Sequence, residues 1–247
     1  MSETLRRLVI IGAGGFAREL EWLVRDINRV EPCYEFLGFV VSDLTRLRER
    51  DSREKVLGDY EWIDANLGKV DALAIGIGTP SDRKKVACEL QAQFPGLDWP
   101  TLIHPTVQFD SSSTRVGRGA ILCAGVIATV NVTMEPFCMV NMACTIGHEA
   151  WVGKYDVVNP GANISGGVRL GEEVLVGTGA QILQYLRVGD RAKIAAGSVV
   201  MRNVRAGDTV VGVPASRLNW KGTCLGGTDD AGDPNAAVHL EAGLVGD

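Results

Sequence analysis

The sequence predicts two domains of different fold class, a small Rossmann-like α/β domain followed by a parallel β-helix. The first prediction rests on a strand, a glycine turn and a helix at the start of the chain. The second rests on an apolar residue at every sixth position through residues 116–200. Composition agrees, since the 247 residues include 30 glycines but only 6% aromatic residues. We assign residues 1–103 to the α/β domain, 104–221 to the β-helix and 222–247 to a flexible acidic tail.

Composition also excludes several classes of function. The 30 acidic and 25 basic residues give a net charge of −5, which leaves no basic surplus to attract nucleic acid or an anionic membrane. No run of about 18 apolar residues is present, so we expect no membrane-spanning segment. The six cysteines form no CxxC pair, which indicates reduced thiols rather than a disulfide frame or a zinc site. The N-terminus has no signal-peptide pattern, and we expect a cytoplasmic protein without a metal.

Three strand-like segments at residues 8–11, 36–41 and 72–75 define the predicted α/β domain. One helix is predicted from the first glycine turn to about residue 28, and a second is predicted to begin near Pro80. The mixed-charge run at residues 46–53 is predicted to be a solvated helix or loop. These units form one mononucleotide-sized half of a doubly wound sheet, whereas a nicotinamide-dependent dehydrogenase needs two. Redox chemistry is therefore disfavoured.

Two glycine turns are the candidate ligand site of this domain. Gly12, Gly14 and Gly15 follow the first strand, and Gly78 and Thr79 follow the third. Glycine lets the backbone approach a phosphate, and the free N–H groups of a helix N-terminus attract negative charge. We therefore expect these residues to bind a nucleotide or a nucleotide sugar. The alternative is that the glycines serve only tight packing.

The six-residue repeat is the most informative feature of the chain. A period of six would spread apolar residues around the whole circumference of an α-helix, which excludes that structure. Three units make one triangular coil of 18 residues, so fifteen units predict five coils. We expect the glycines that often follow the apolar residue to relieve the corners, and the flat faces to favour a homo-oligomer. All fifteen residues at this spacing are apolar: Val116, Leu122, Ala128, Met134, Val140, Ile146, Val152, Val158, Ile164, Leu170, Val176, Ile182, Val188, Ile194 and Val200.

This hexapeptide pattern resembles that of the left-handed β-helix acyltransferases. Together with the Gly-Ala-Gly-Gly turn before it, the chain resembles the sialic acid O-acetyltransferase and bacillosamine N-acetyltransferase family, which acylates nucleotide-linked amino sugars. The resemblance covers roughly residues 6–221. It implies a left-handed helix, a homotrimer, acetyl-CoA as co-substrate and no metal. It includes Ile75-Gly76-Ile77-Gly78 followed by Arg83-Lys84-Lys85, then Leu102-Ile103-His104-Pro105, residues 141–149, and Val211-Gly212-Val213-Pro214-Ala215.

His148 is the candidate catalytic residue among the three histidines of the chain. It alone lies within the coils, whereas His104 is expected to be structural and His239 lies in the tail. Gly166 follows 18 residues later, so we expect it to stack on His148 at a strand spacing of about 4.8 Å. Histidine can take a proton from an amine or a hydroxyl near neutral pH. The alternative is a corner histidine exposed to solvent without a catalytic role.

The resemblance also implies roles for individual residues. It makes His148 the general base with Glu149 as its partner, and it makes Asn141 a contact of the sugar. The acetyl group would lie against Gly166, whose backbone N–H would bind the thioester oxygen. The implied contacts of CoA are Gly166, Gly167 and Ala196.

Several residues depart from the family pattern or from the repeat. Tyr155 stands where some relatives carry a second histidine, and Phe16 stands where a histidine often follows the paired glycines. Val41 and Ser42 stand where acids often end the second strand. Asp156 occupies the small interior position of its hexad, where a charge is costly. We predict that Asp156 is a further substrate contact.

The leading hypothesis is an acetyl-CoA-dependent acetyltransferase that acts on the amine of a nucleotide-linked amino sugar, in polysaccharide biosynthesis. One alternative is an O-acetyltransferase of a sugar or another hydroxylated metabolite, which would use the same base. A second alternative is a non-catalytic scaffold that binds sugar nucleotides and retains the prism.

Overall fold

The computed structural model describes residues 5–218, so the predicted tail at 222–247 lies outside the described residues. Among the described residues, none of the helices has both the length and the apolar character that a membrane crossing requires. The α/β domain contains β1 (Arg6–Ile11), α1 (Gly15–Val30), β2 (Tyr34–Val40), β3 (Val56–Gly58), α2 (Tyr60–Ala65), β4 (Ala72–Ile75) and α3 (Pro80–Gln93). The three predicted strands and both predicted helices are present. Strand β3 and helix α2 were not predicted, because three and six residues are too few to show a period.

A parallel four-stranded sheet in the order β3-β2-β1-β4 forms the centre of this domain. Strand β1 has its last four residues fully buried, because α1 covers one face of the sheet and α3 covers the other. Strands β1 and β4 are neighbours and run in the same direction. Their carboxyl ends therefore carry the two glycine turns to the same edge of the sheet.

The β-helix consists of two-residue strands, with one of three residues near its end. The fifteen predicted units form the fifteen strands β6 to β20, and the predicted apolar residue is the second residue of each. The strands are β5 (Leu102–Ile103), β6 (Arg115–Val116), β7 (Ile121–Leu122), β8 (Ile127–Ala128), β9 (Thr133–Met134), β10 (Met139–Val140), β11 (Thr145–Ile146), β12 (Trp151–Val152), β13 (Val157–Val158), β14 (Asn163–Ile164), β15 (Arg169–Leu170), β16 (Leu175–Val176), β17 (Gln181–Ile182), β18 (Arg187–Val188), β19 (Lys193–Ile194), β20 (Val199–Val200), β21 (Thr209–Val211) and β22 (Ser216–Arg217).

Every third strand pairs in parallel with the next, 18 residues along the chain, which produces a prism with three flat faces. We name the sheet of β5, β7, β10, β13, β16, β19, β21 and β22 face 1. The sheet of β8, β11, β14, β17 and β20 is face 2, and the sheet of β6, β9, β12, β15 and β18 is face 3. The second residue of almost every strand points into a closed aliphatic core, where Val140, Val152 and Val158 have no exposed surface.

The corners of the prism correct one expectation about glycine. Residues with positive φ recur every six positions from Gly119 to Gly197, but eight of these fourteen are not glycine. The glycines directly after the apolar residues have a different role. A Cβ on Gly147 would overlap the backbone of Gly166, and a Cβ on Gly177 would overlap that of Ala196. These glycines therefore leave space for the next coil rather than allow an unusual backbone conformation.

The α/β domain packs on face 1 of the prism. The outward side chains of Ile121, Met139 and Val157 share one buried cluster with Leu20 and Leu23 of α1. His104, expected to be structural, is buried at this junction, with its Nε2 atom 3.2 Å from Oδ2 of Asp26 in α1. The α/β domain therefore covers face 1, opposite the corner that joins faces 2 and 3.

Arg83 of α3 is a second link between the domains. Its guanidinium is fully buried and donates hydrogen bonds to the carbonyl oxygens of Ile75 and Ile77, at 3.0 and 2.8 Å. It also donates at 3.0 and 3.2 Å to the carbonyl oxygen of Phe137, at the corner between faces 3 and 1. Burial lowers the pKa of Arg83 to about 10, which keeps the group charged at neutral pH. One side chain thus fixes the second glycine turn relative to the prism.

Candidate functional site

The first candidate site is the corner between faces 2 and 3, which we name the histidine corner: His148, Glu149, Gly166, Gly167 and Tyr185. His148 follows β11 and Glu149 precedes β12, so the coil turns at this pair. Glu149 adopts a left-handed conformation with φ of 61°. This turn directs both side chains outward, where about half of each is exposed.

The predicted stacking of His148 on Gly166 is present. A Cβ on Gly166 would overlap the imidazole ring, so the ring lies directly on the backbone of the next coil. The N–H of Gly167 donates to the carbonyl oxygen of His148 at 2.7 Å. Among the described residues, the N–H of Gly166 has no acceptor in a hydrogen bond. Of the two glycine N–H groups, that of Gly166 is therefore the one available to an oxyanion.

Glu149 lies at the Nδ1 side of the imidazole ring. Its Oε2 atom is 3.6 Å from Nδ1 of His148. A hydrogen bond between these groups needs about 2.7–3.2 Å, so the pair is an electrostatic contact in this conformation. Both side chains are half exposed, and an exposed pair of this kind contributes little to stability. Glu149 is thus placed to act on the imidazole ring through its charge.

Tyr185 is a member of the corner that the sequence reasoning missed. Its ring stands edge-on to the imidazole of His148, with the ring centroids 6.5 Å apart. A Cβ on Gly167 would overlap the tyrosine ring, so this ring also lies on the glycine backbone. The signal was present in the sequence, because residues 149, 167 and 185 are spaced by one coil of 18 residues.

Two predicted site residues lie on another corner. Asn141 directly follows β10, and its Oδ1 atom accepts a hydrogen bond from the N–H of Met142 at 2.8 Å. Ala196 follows β19 at the same corner, between faces 1 and 2. His148 stands at the next corner, beyond β11. Within one chain, face 2 therefore separates Asn141 and Ala196 from the histidine corner.

The second candidate site is a cavity of about 340 Å³ at the first glycine turn. It opens where α1 begins, and α1 has neither a side-chain cap at Gly14 nor an acid in its first turn. Gly12, with φ of 106°, lies against the second turn, since its Cβ would stand 3.1 Å from the oxygen of Gly76. The lining residues of the cavity are Gly14, Gly15, Arg18, Arg48, Arg50 and Asp51.

The loop between β2 and β3 supplies two of the three arginines that line this cavity. The charged run predicted to be solvated is indeed exposed, but two of its arginines, Arg48 and Arg50, also line the cavity. Asp51 partly offsets them, and its carboxylate accepts from the N–H of Arg48 at 2.8 Å. The N–H of Ser52 donates to the carbonyl oxygen of Ala13 and holds the loop on the glycine turn. No sequence pattern predicts this fold of the loop, because it depends on non-local contacts such as that between Ser52 and Ala13.

The second glycine turn completes this edge of the sheet. Gly78 has open space on its Cβ side, and Thr79 begins α3 without capping it by its side chain. Both residues are therefore accessible to a ligand that lies across the two turns.

Asp156 lies apart from both candidate sites, which corrects its expected role. Its side chain has no exposed surface and faces the interior of the prism. The carboxylate accepts hydrogen bonds from the N–H groups of Gly153 and Val174, each at 2.7 Å. Burial raises the pKa of Asp156 well above its ordinary value. The group is structural in this conformation, because backbone donors occupy both carboxylate oxygens and the side chain has no exposed surface.

No group of three or more potential metal-binding side chains occurs within residues 5–218. The histidine corner presents one exposed imidazole, one carboxylate and backbone N–H groups, and the α/β domain presents a separate basic cavity.

Comparisons with known proteins agree with this architecture. Residues 7–90 match the family model described as the PglD N-terminal domain. The acetyltransferase domain of PglB from Neisseria gonorrhoeae FA1090, solved with acetyl coenzyme A, is 27% identical, covers 87% of this chain and 100% of that chain, and gives a TM-score of 0.76. WeeI from Acinetobacter baumannii AYE is 26% identical. The match covers 87% of this chain and 100% of WeeI, with a TM-score of 0.74.

PerB from Caulobacter crescentus, solved with CoA and GDP-perosamine, is 24% identical. The match covers 87% of this chain and 99% of PerB, with a TM-score of 0.76. This similarity shows the fold alone. Among curated protein sequences, none matches the chain significantly. Together the comparisons confirm the predicted fold class, a Rossmann-like domain followed by a left-handed β-helix, and the resemblance to acetyltransferases of this fold.

Proposed function

We propose that the protein is an acetyl-CoA-dependent acetyltransferase that acetylates the amine of a nucleotide-linked amino sugar. The observation that carries this proposal is the exposed imidazole of His148, which lies directly on Gly166 with Glu149 at its other nitrogen. The similarity to a PglB domain solved with acetyl coenzyme A supports the choice of acyl donor.

The proposed reaction is a direct attack without a covalent enzyme intermediate. Acetyl-CoA supplies an acetyl group that is already activated as a thioester. His148 accepts a proton from the acceptor amine while the amine nitrogen bonds to the acetyl carbon and the C–S bond breaks. The sulfur leaves with the electron pair and takes up a proton, which yields the CoA thiol. The N–H of Gly166 stabilises the negative charge on the acetyl oxygen, a contribution of about 3–4 kcal/mol for such a donor.

The nucleotide end of the acceptor is assigned to the basic cavity and the two glycine turns. Arg18, Arg48 and Arg50 suit the two negative charges of a diphosphate, and guanidinium groups bind phosphate oxygens in pairs. The uncapped N-terminus of α1 adds backbone donors at the same place. Gly78 and Thr79 border the acceptor at the second turn.

We further propose that the active site forms between copies of the chain in a homotrimer. Arg83 ties the second glycine turn to the corner at Phe137, whereas His148 stands one full side of the prism away. Six residues of strand and turn span roughly 20 Å at most. The candidate contacts of CoA are also divided between two corners, at Gly167 and Ala196. In a homotrimer, the histidine corner of one copy would lie beside the corner of a neighbouring copy that carries Ala196.

The exposed apolar side chains support this assembly. Ile127 and Trp151 lie on faces 2 and 3, and Val130 and Met201 lie near the histidine corner. Each is between 37% and 46% exposed in the single chain. A second copy packed at this corner would cover these side chains, whereas the α/β domain already covers face 1.

Release of CoA thiol by the purified full chain tests the function. We expect release with acetyl-CoA and a nucleotide-linked amino sugar, and none with the matching sugar that bears a hydroxyl in place of the amine. Release with only the hydroxyl compounds would assign O-acetylation instead. No release with either set, together with no binding of acetyl-CoA, would identify a non-catalytic scaffold and overturn the proposal.

Complementation tests the shared site. We expect the His148→Ala variant and the Arg48→Ala/Arg50→Ala variant each to have reduced acetyltransferase activity when assayed alone. Mixed trimers should recover part of the activity, because one intact site can combine His148 from one copy with the cavity of another. No recovery in mixtures shown by mass spectrometry to have exchanged subunits would place each site within one chain.

A further inference from the structure

Tyr185 belongs to the histidine corner, but the proposed reaction assigns no role to it. Its side chain is 58% exposed, and its ring meets the imidazole of His148 edge-on at 63°. Its backbone N–H donates to the carbonyl oxygen of Gly166 at 2.9 Å, which places it one coil beyond the glycine pair. The residue therefore borders the backbone that is proposed to contact the acetyl group.

The two rings approach the same glycine pair from opposite sides. The imidazole of His148 lies on Gly166 from the preceding coil, and the phenol of Tyr185 lies on Gly167 from the following coil. A centroid distance of 6.5 Å in an edge-on pair means that the rings are in contact. An acyl chain that was bound at Gly166 and extended toward the next coil would therefore meet the tyrosine ring, which lies on Gly167.

We propose that Tyr185 determines acyl-chain specificity and restricts the donor to acetyl-CoA. This inference rests on the proposed function, because it assigns the acyl group to Gly166. The phenol ring acts as the end wall of the acyl site, and its hydroxyl group takes no part in the reaction. The chemical class of the donor is a short-chain acyl-CoA, and the ring sets its upper limit.

The backbone at this position allows a clean substitution. Tyr185 has a left-handed conformation with φ of 59°, which glycine adopts without strain. Tyr185→Gly therefore removes the ring without strain in the backbone. Tyr185→Phe keeps the ring and removes only the hydroxyl. Trp22→Ala is a matched control, because Trp22 is another exposed aromatic residue but lies in α1, away from the glycine pair and from the proposed contact between copies.

The experiment compares kcat/KM of the purified full chain for acetyl-, propionyl- and butyryl-CoA with one acceptor. One or two methylene groups should cost the wild-type protein about tenfold or more in kcat/KM. We expect Tyr185→Gly to raise the butyryl-to-acetyl ratio of kcat/KM by at least about tenfold, and Tyr185→Phe and Trp22→Ala to leave it unchanged. An unchanged ratio in Tyr185→Gly, or an equal loss with all three donors, would overturn the inference.

Failure of the proposed function would give results different from those that refute only the role of Tyr185. Binding of each acyl-CoA, measured by calorimetry, provides a readout that does not need turnover. A wild-type protein that neither binds acetyl-CoA nor releases thiol refutes the proposed function, and the inference falls with it. A wild-type protein that is active, with the same donor profile in all variants, refutes only the role of Tyr185.

Discussion

Gly166 lies so close to the imidazole of His148 that a Cβ on the glycine would overlap three atoms of the ring. Gly166→Ala should therefore displace His148 rather than strain the backbone, because the φ of Gly166 is not positive. A misplacement of about 1 Å in a reacting group costs about 10²-fold in rate, and we expect kcat to fall by that order. Steady-state kinetics and thermal unfolding on the same samples check this.

A glycine without such a neighbour provides the control for this change. A Cβ on Gly96 would meet no atom within 4 Å. Gly96→Ala should keep the wild-type kcat. A Gly166→Ala variant that folds and turns over at the wild-type rate would show that the position of the imidazole ring is not critical.

Arg48 and Arg50 should determine affinity for the acceptor rather than for the acyl donor. A hydrogen bond to a charged group contributes about 1.5–3 kcal/mol, so Arg48→Ala/Arg50→Ala should raise the KM of the nucleotide acceptor by at least about tenfold. The KM of acetyl-CoA should stay the same. Arg46→Ala is the control, since Arg46 lies in the same loop but pairs with Asp43 instead of lining the cavity. Equal effects of both variants would place the diphosphate elsewhere.

Arg83 should affect stability and acceptor binding together. Arg83→Met leaves the buried carbonyl oxygens of Ile75 and Phe137 without this donor, and each unsatisfied buried group costs about 1–3 kcal/mol. We expect a loss of at least about 2 kcal/mol in the free energy of unfolding, measured with urea. The surviving folded protein should have a raised KM for the acceptor and an unchanged KM for acetyl-CoA. Arg83→Lys, which keeps the charge, should recover part of the stability.

Asp156 should make stability depend on pH. The folded state favours the protonated carboxyl, because burial raises the pKa of Asp156 above its unfolded value. The folded chain then binds more protons than the unfolded chain between these two pKa values, so the free energy of unfolding falls as pH rises through that window. Asp156→Asn cannot ionise and should lose less stability over the same range. Unfolding curves from pH 4 upward measure the difference, and parallel curves for the two proteins would contradict it.

Much of the fold could be predicted because its signals are local and periodic. The fifteen apolar residues from Val116 to Val200 each end a strand of the prism, since a narrow interior accepts one aliphatic side chain per unit. His148 and Gly166 were predicted to stack for the same reason, because their spacing equals one coil. The extra strand at residues 56–58 was missed, since its pairing with β2 depends on a loop rather than on a pattern.

The parts of the site that depend on tertiary structure could not be predicted. The sequence predicts a ligand contact at Asp156, because it does not show that two backbone N–H groups meet the carboxylate. Arg48 and Arg50 resemble their charged neighbours in the sequence, because only the fold of the loop over the glycine turn brings them to the cavity. Asn141 and His148 are seven residues apart, yet a face of the prism separates them.

The most direct test of the account is the rate of CoA thiol release by the His148→Ala variant with a nucleotide-linked amino sugar. General-base catalysis contributes about 10²–10⁴-fold, so kcat should fall by that factor. Binding of acetyl-CoA and the unfolding temperature should stay the same, because the side chain is half exposed. Turnover near the wild-type rate would contradict the central claim that His148 is the base.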